Sequence, residues 1–203
     1  PLRRGGRSRA TITPAPWLLR GDGYMLFYRF SRDFVVSQGF VPPELSGRFD
    51  RFFGAVMLVD YRESPVGPYH ELLFIPGKFR TPHGRRYSIT RIVVDSEAST
   101  QNGRANWGIP KFTHPFQVKK DGSNEYIKVL DAQGLPGFEI TLRAGGFRFP
   151  ISTALFPLHL YQALEGKTFR TTPKGSGSAQ FARVLDLRVN PAFFPDVSQV
   201  KPL

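Results

Sequence analysis

Cysteine is absent from the 203 residues of this chain, which excludes a disulfide framework, a thiolate metal site and a cysteine nucleophile. A chain without disulfides suits the cytoplasm, and that is the expected location. Histidine is nearly as scarce: His70, His83, His114 and His159 are scattered, and none has the spacing of a metal-binding helix. No metal site is expected. No apolar run approaches the length of a membrane-spanning helix, and the basic first residues lack the apolar segment of a signal peptide. No membrane partner is expected, and the chain reads as soluble. A Gly-x-Ser-x-Gly elbow between a strand and a helix is also missing, as is a phosphate-cradling loop. Gly175-Ser176-Gly177-Ser178 reads instead as part of a flexible loop from Lys174 to Ser178.

Acidic side chains are few: 16 Asp and Glu stand against 28 Lys and Arg, for a formal charge of +12. Such a balance attracts anions, whether nucleic acid or small carboxylates. Part of it is local, because Arg3, Arg4, Arg7 and Arg9 lie in a Gly/Ser-rich leader, residues 1–13, that is expected not to fold. Lys119–Lys120 and Arg85–Arg86 have the look of hairpin tips. With no recognition helix, zinc finger or ribonucleoprotein motif, nucleic acid is not the expected partner.

What is present is β pattern. Residues 14–203 form one expected domain, since 40% hydrophobic content over this length supports a single core. Gly21-Asp22-Gly23 turns into an aromatic strand from Tyr24 to Phe30, and Ser31 is placed to cap a helix from Arg32 to about Gln38. Strands are expected over Phe52–Tyr61, Tyr69–Pro76, Tyr87–Asp95, Phe116–Lys120, Glu125–Leu130, Phe138–Arg143 and Gln180–Val189. A second helix, capped by Ser96, should end near Trp107–Gly108. Many short strands with two short helices argue for a mainly β, strongly curved antiparallel sheet or barrel.

Two positions stand out chemically. Lys111 follows Trp107, Ile109 and Pro110, precedes Phe112, and is expected on a turn fixed by Gly108 and Pro110. Apolar neighbours strip hydration from an ammonium and favour the neutral amine, which attacks ketones and aldehydes to form a Schiff base. An ordinary surface lysine beside a tight turn remains the alternative. Glu71, in Gly67-Pro68-Tyr69-His70-Glu71, precedes the apolar run Leu72-Leu73-Phe74-Ile75. It is either a rim salt bridge or a proton shuttle facing a pocket.

Together these stretches resemble the acetoacetate decarboxylase family. The residues that carry the resemblance are Gly67, Tyr69 and Glu71, then Gly103-Arg104 and Pro110-Lys111 after a short helix, with Tyr28-Arg29 earlier. It runs from about Tyr24 to Lys120. It implies a barrel-like β fold, a homo-oligomer, no metal or organic cofactor, and a carbon–carbon lyase acting on a small keto acid. By the same resemblance Lys111 is the Schiff-base lysine and Glu71 lines its pocket. Tyr69, Trp107, Phe112, Arg20 and Arg104 are then substrate-binding candidates, with Arg20 favoured for the substrate carboxylate. Arg29 is expected to have a structural partner instead.

The departures shape the expectation. Phe112 stands where the family carries a second lysine, and Ala105 where an acidic residue follows Gly-Arg. Val56 or Met57 replaces a second pocket carboxylate. Arg20 is nearest to the carboxylate-holding arginine, although an ungapped reading puts Gly21 there. A site with fewer charges fits a more apolar substrate, or another Schiff-base reaction such as aldol cleavage or dehydration. The alternative function is a non-catalytic barrel that binds a small apolar or anionic ligand; an unrelated basic β protein that binds a macromolecule is the third reading.

Overall fold

The computed structural model describes residues 12–155 and 157–203. The leader arginines Arg3, Arg4, Arg7 and Arg9 lie outside them. The first strand, β1, spans Arg20–Tyr28, and helix α1 spans Arg32–Gln38. Strands β2 (Gly54–Glu63), β3 (Tyr69–Ile75), β4 (Lys78–Thr81), β5 (Gly84–Tyr87) and β6 (Arg91–Val94) follow. Helix α2 covers Glu97–Trp107. After it come β7 (Lys111–Thr113), β8 (Phe116–Asp121), β9 (Asn124–Leu130), β10 (Pro136–Ser152), β11 (Leu160–Leu164), β12 (Lys167–Thr171) and β13 (Ser176–Val189). Short 3-10 turns at Pro43–Leu45 and Val197–Gln199 complete the chain.

These strands form three sheets rather than one continuous barrel wall: β1-β2-β3-β6-β7, β13-β10-β9-β8 and β12-β11-β5-β4. The mainly β class holds, and each sheet has an open strand order. The five-stranded sheet is the centre. Its pleat sends alternate residues to opposite faces. Leu26, Tyr28, Val56, Leu58, Leu72, Phe74 and Val93 face the main core, where they meet Ile127, Val129, Phe138, Ile140 and Leu142 of the second sheet. Leu73, Ile75 and Ile92 face the other way, into a smaller cluster with Ile89 and Leu160.

The link from β6 to β7 decides where the chemistry sits. These two strands pair in parallel, and a parallel pair needs a crossover, here α2. Ser96 caps the helix by accepting from the Ser99 amide at 3.2 Å. Gly108 ends it in the left-handed conformation, φ 62°, where only glycine is unstrained. The buried residues of α2 are Ser99, Thr100, Asn102 and Gly103. That face is small and polar, so apolar burial is not what holds it. Hydrogen bonds do: Thr100 Oγ1 to Thr113 Oγ1 at 2.7 Å, and Thr113 Oγ1 to Glu97 Oε2 at 2.8 Å.

Several boundaries differ from the sequence reading. Thr13, at the end of the expected leader, donates its amide to Asn102 Oδ1 at 2.7 Å and accepts from Asn106 Nδ2 at 2.8 Å. Strands β11 and β12 were not expected. Ser176–Ser178, expected in a loop, pair with Pro150–Ser152 as the start of β13. Lys111 opens a strand, β7, and does not sit on a turn. Among the described residues, no helix is long and apolar enough to cross a membrane.

Candidate active site

Strand register brings Lys111 and Glu71 to one face. Glu71 pairs with Val94 and Leu73 with Ile92 across β3 and β6, and Ile92 pairs with Lys111 across β6 and β7. Directly paired residues share a face, so both side chains project towards α2. There Lys111 Nζ donates to Glu71 Oε2 at 2.7 Å and to Ser99 Oγ at 2.9 Å. Lys111 and Glu71 are 4% and 5% exposed, and Ser99 is fully buried. The aliphatic stem of Lys111 lies against Gly103, where a Cβ would fall 2.7 Å from Lys111 Cδ.

Two tyrosines complete the cluster. The Tyr69 ring centroid lies 5.1 Å from Lys111 Nζ, close enough for the ring face to attract the ammonium. Tyr61 pairs with Tyr69 across β2 and β3, their rings 4.9 Å apart. Burial, reinforced by the Glu71 carboxylate and Tyr69, holds the Tyr61 hydroxyl well above its ordinary titration range. Burial and then Glu71 raise Tyr69 in the same way, against a hydrogen bond with Ser99. Both hydroxyls therefore stay protonated at neutral pH and face a carboxylate as neutral groups.

Two of the four apolar neighbours expected around the amine are directed elsewhere, while Ile109 packs with Leu73 and Ile92 of the same face. Phe112 is next to Lys111 on β7, so the pleat turns it to the opposite face. It is 40% exposed there, with the Arg91 guanidinium 4.6 Å from its ring centroid. Trp107 packs edge-on against Trp17 at 5.0 Å. The bonded partners of the amine are instead a carboxylate and a hydroxyl.

The expected arginines are engaged elsewhere. Arg20 reaches Glu63 at 3.7 Å on the exposed end of β1, because the two residues pair across β1 and β2. Arg104 bonds Glu165 at 3.0 Å and contacts the Lys111 carbonyl, not its amine. Arg29 lies beyond β1 with its guanidinium 4.7 Å from the Phe53 centroid, an aromatic partner. Ser99 and Tyr61 were not singled out from sequence. Ser99 carries a signal, since it stands four residues before Gly103 on a helix and so shares its face. Tyr61 carries none, because its place depends on strand pairing.

Structural comparison matches nearly the whole chain to enzymes. Acetoacetate decarboxylase of Legionella pneumophila superposes with a TM-score of 0.66 over 98% of this chain and 84% of that one, at 13% identity. The enduracididine biosynthesis enzyme MppR, complexed with the condensation product of pyruvate and imidazole 4-carboxaldehyde, gives 0.62 over 97% and 84%, at 17% identity. The fold is that of acetoacetate decarboxylase.

The acetoacetate decarboxylase fold thus accommodates this sequence at low identity, in line with the resemblance carried by Glu71 and Lys111. No protein-family model matches the chain. Among curated proteins, NEOXANTHIN-DEFICIENT 1 of Oryza sativa is 29% identical over 126 residues, 57% of this chain. Its counterpart in Arabidopsis thaliana is 26% identical over 127 residues. The match spans only 41% and 44% of those two proteins.

Proposed function

We propose that this protein is a Schiff-base-forming enzyme that acts on a small carbonyl compound through Lys111. One observation carries the reading: a buried lysine amine 2.7 Å from a buried carboxylate, on a fold shared with acetoacetate decarboxylase. Glu71 can take a proton from the amine and return it, while Ser99 aims the nitrogen. With its lone pair free, the nitrogen attacks the carbonyl carbon to give a carbinolamine. Loss of the hydroxyl as water, with a returned proton, leaves a protonated imine on Lys111. In a β-keto acid the bond to the carboxylate then breaks, carbon dioxide leaves, and its electron pair moves onto the imine nitrogen as an enamine. Protonation at carbon and hydrolysis release the ketone and restore the amine. Aldol cleavage or dehydration would use the same electron sink. The resemblance extends the proposal to a homo-oligomer.

Acetoacetate itself is a poor fit. Its carboxylate needs a cation, yet Arg20 and Arg104 are paired with Glu63 and Glu165. A second reading, ligand binding without turnover, is favoured by the amine having two bonded partners and little exposure.

The test is reductive trapping. Incubation with a methyl ketone or β-keto acid, borohydride reduction and peptide mapping should place the adduct on Lys111, and Lys111→Ala should lose it. Labelling of surface lysines such as Lys119 and Lys120 to the same extent as Lys111 would end the enzyme reading. Specific trapping without carbon dioxide release would favour aldol or dehydratase chemistry.

A further inference from the structure

We infer that the face carrying Lys111 continues into a strip that holds the hydrocarbon part of a long-chain carbonyl compound. The inference rests on the Schiff-base reading for the position of the carbonyl, and on the sheet for the rest.

The register extends the site across two more strands. Val59 pairs with Glu71 and Met57 with Leu73, and on β1 Met25 pairs with Met57 and Phe27 with Ala55. All share the face of Lys111. Met25 and Phe27 are 48% and 49% exposed, and Met57, Val59 and Tyr61 are partly exposed. From β3, where Glu71 bonds the amine, to β1 is two strand spacings, about 10 Å. Such a length suits an extended hydrocarbon chain and far exceeds a short keto acid.

Beyond the Arg20–Glu63 pair at the end of the strands, the charges of β1 and β2 turn away. Asp22 and Asp60 pair with each other on the opposite face, and Arg62 reaches Asp22 at 2.7 Å. Between Gly21–Tyr61 and Phe27–Ala55, the pairs on the Lys111 face contain only Gly, Met, Phe, Ala, Val and Tyr. Among the described residues the β1 end of this face is exposed at Met25 and Phe27, while Ala55 and the β3 residues on the same face are buried. An apolar face that runs from exposed residues on β1 through partly exposed ones on β2 to a buried amine selects a ligand with a carbonyl at one end and hydrocarbon behind it. Of the residues that replace the second pocket carboxylate in the resemblance, Met57 is on this face and Val56 is in the main core.

The experiment is a homologous series of methyl ketones, from acetone to 2-undecanone, trapped on the full chain with borohydride and quantified at Lys111. The half-saturating concentration should fall about two- to fourfold for each added methylene that is buried, then level off once the chain reaches β1. The double variant Met25→Ser/Phe27→Ser should flatten that dependence, while Val36→Ser on α1 should not. Equal trapping of acetone and 2-undecanone would overturn the strip and leave the amine reading intact. If no ketone is trapped the amine reading fails; the strip then stands only if 1-decanol displaces N-phenyl-1-naphthylamine from the wild type and not from the double variant. Self-association lost in the double variant, without any chain-length effect, would make the face a contact between copies and overturn the inference.

Discussion

The stem of Lys111 occupies the space that a side chain at position 103 would need. A Cβ on Gly103 would stand 2.7 Å from Lys111 Cδ and 2.9 Å from Cε, so α2 can approach β7 only with glycine there. Two effects compete in Gly103→Ala. Alanine favours a helix interior over glycine by about 1 kcal/mol, while forcing a methyl into a filled site costs about 1–3 kcal/mol. The clash should dominate, because the lysine that must move is itself held by Glu71 and Ser99. Net destabilisation in denaturant, together with at least a tenfold loss of Lys111 trapping, is expected. A variant that gains stability and traps normally would show that the lysine stem moves freely.

Gln162 ties β11 of the third sheet to the link between β5 and β6. Its Oε1 accepts from Ser88 Oγ at 2.6 Å and Ile89 N at 3.0 Å, while Nε2 donates to Ile89 O at 3.2 Å. Gln162 and Ser88 are each 2% exposed, so Gln162→Leu leaves buried donors and an acceptor unpaired. A loss of about 2–4 kcal/mol is expected, read from the urea midpoint. A change below half a kilocalorie would mean that water replaces the amide.

Much of the architecture was legible where local chemistry decides it. The helices α1 and α2 announce themselves through Ser31 and Ser96, whose hydroxyls accept from the amides three residues on. The β3 run was legible because it is buried on both faces and therefore uninterrupted. Strand β11 was not, because its buried Gln162 finds partners 73 and 74 residues away. The outer half of the β10–β13 ribbon hid behind Gly145–Gly146 and the Gly-Ser tract: Gly145 and Ser176–Ser178 read as breakers yet pair across the ribbon, and Gly146 lies where its register shifts. At the site, Lys111 and Glu71 could be singled out from their motifs. The misplacement of Phe112 and Arg20 has one cause: a pleat and a cross-strand partner direct these side chains, and neither is visible before strand pairing is known.

His70 and Asp95 fix the start of the α2 crossover. His70 Nδ1 and Asp95 Oδ2 are 2.7 Å apart, and Asp95 Oδ1 also accepts from the His70 amide at 2.7 Å. The Asp95 hydrogen bond, opposed by burial, raises His70 above its ordinary 6.5. Burial pushes Asp95 up, but the bonds from His70 outweigh it and hold the carboxyl below 3.8. The histidine contribution is therefore full below pH 6.5 and is lost as pH rises through its elevated folded value. The carboxylate contribution is full above pH 3.8 and is lost as pH falls through its depressed one. Because both groups are partly exposed, the effect should stay within about 1 kcal/mol. The stability difference between wild type and His70→Gln should shrink as pH rises from about 6 to about 9. A difference that is flat across that window would remove the pair from the balance.

The Lys111–Glu71 pair allows stability and chemistry to be separated in one set of variants. Lys111→Met leaves a carboxylate buried without its cation, which should cost about 3–5 kcal/mol. Glu71→Gln keeps an acceptor for the amine but leaves the ammonium without a counter-charge, and a comparable loss is expected. Lys111→Met/Glu71→Gln removes both charges, so its loss should fall well short of the sum of the singles. Trapping should discriminate further. Lys111→Met has no nitrogen to trap, whereas Glu71→Gln retains it and lacks the group that moves its proton. General acid–base assistance is worth about 10²–10⁴-fold, so imine formation in Glu71→Gln should slow by that order while the adduct still maps to Lys111. If the double variant falls short of the sum as expected but Glu71→Gln traps at the wild-type rate, Glu71 is a structural counter-ion and the proton shuttle must lie elsewhere. Tyr61 and Tyr69 would then be the groups to replace next, since their hydroxyls stay protonated beside the same carboxylate.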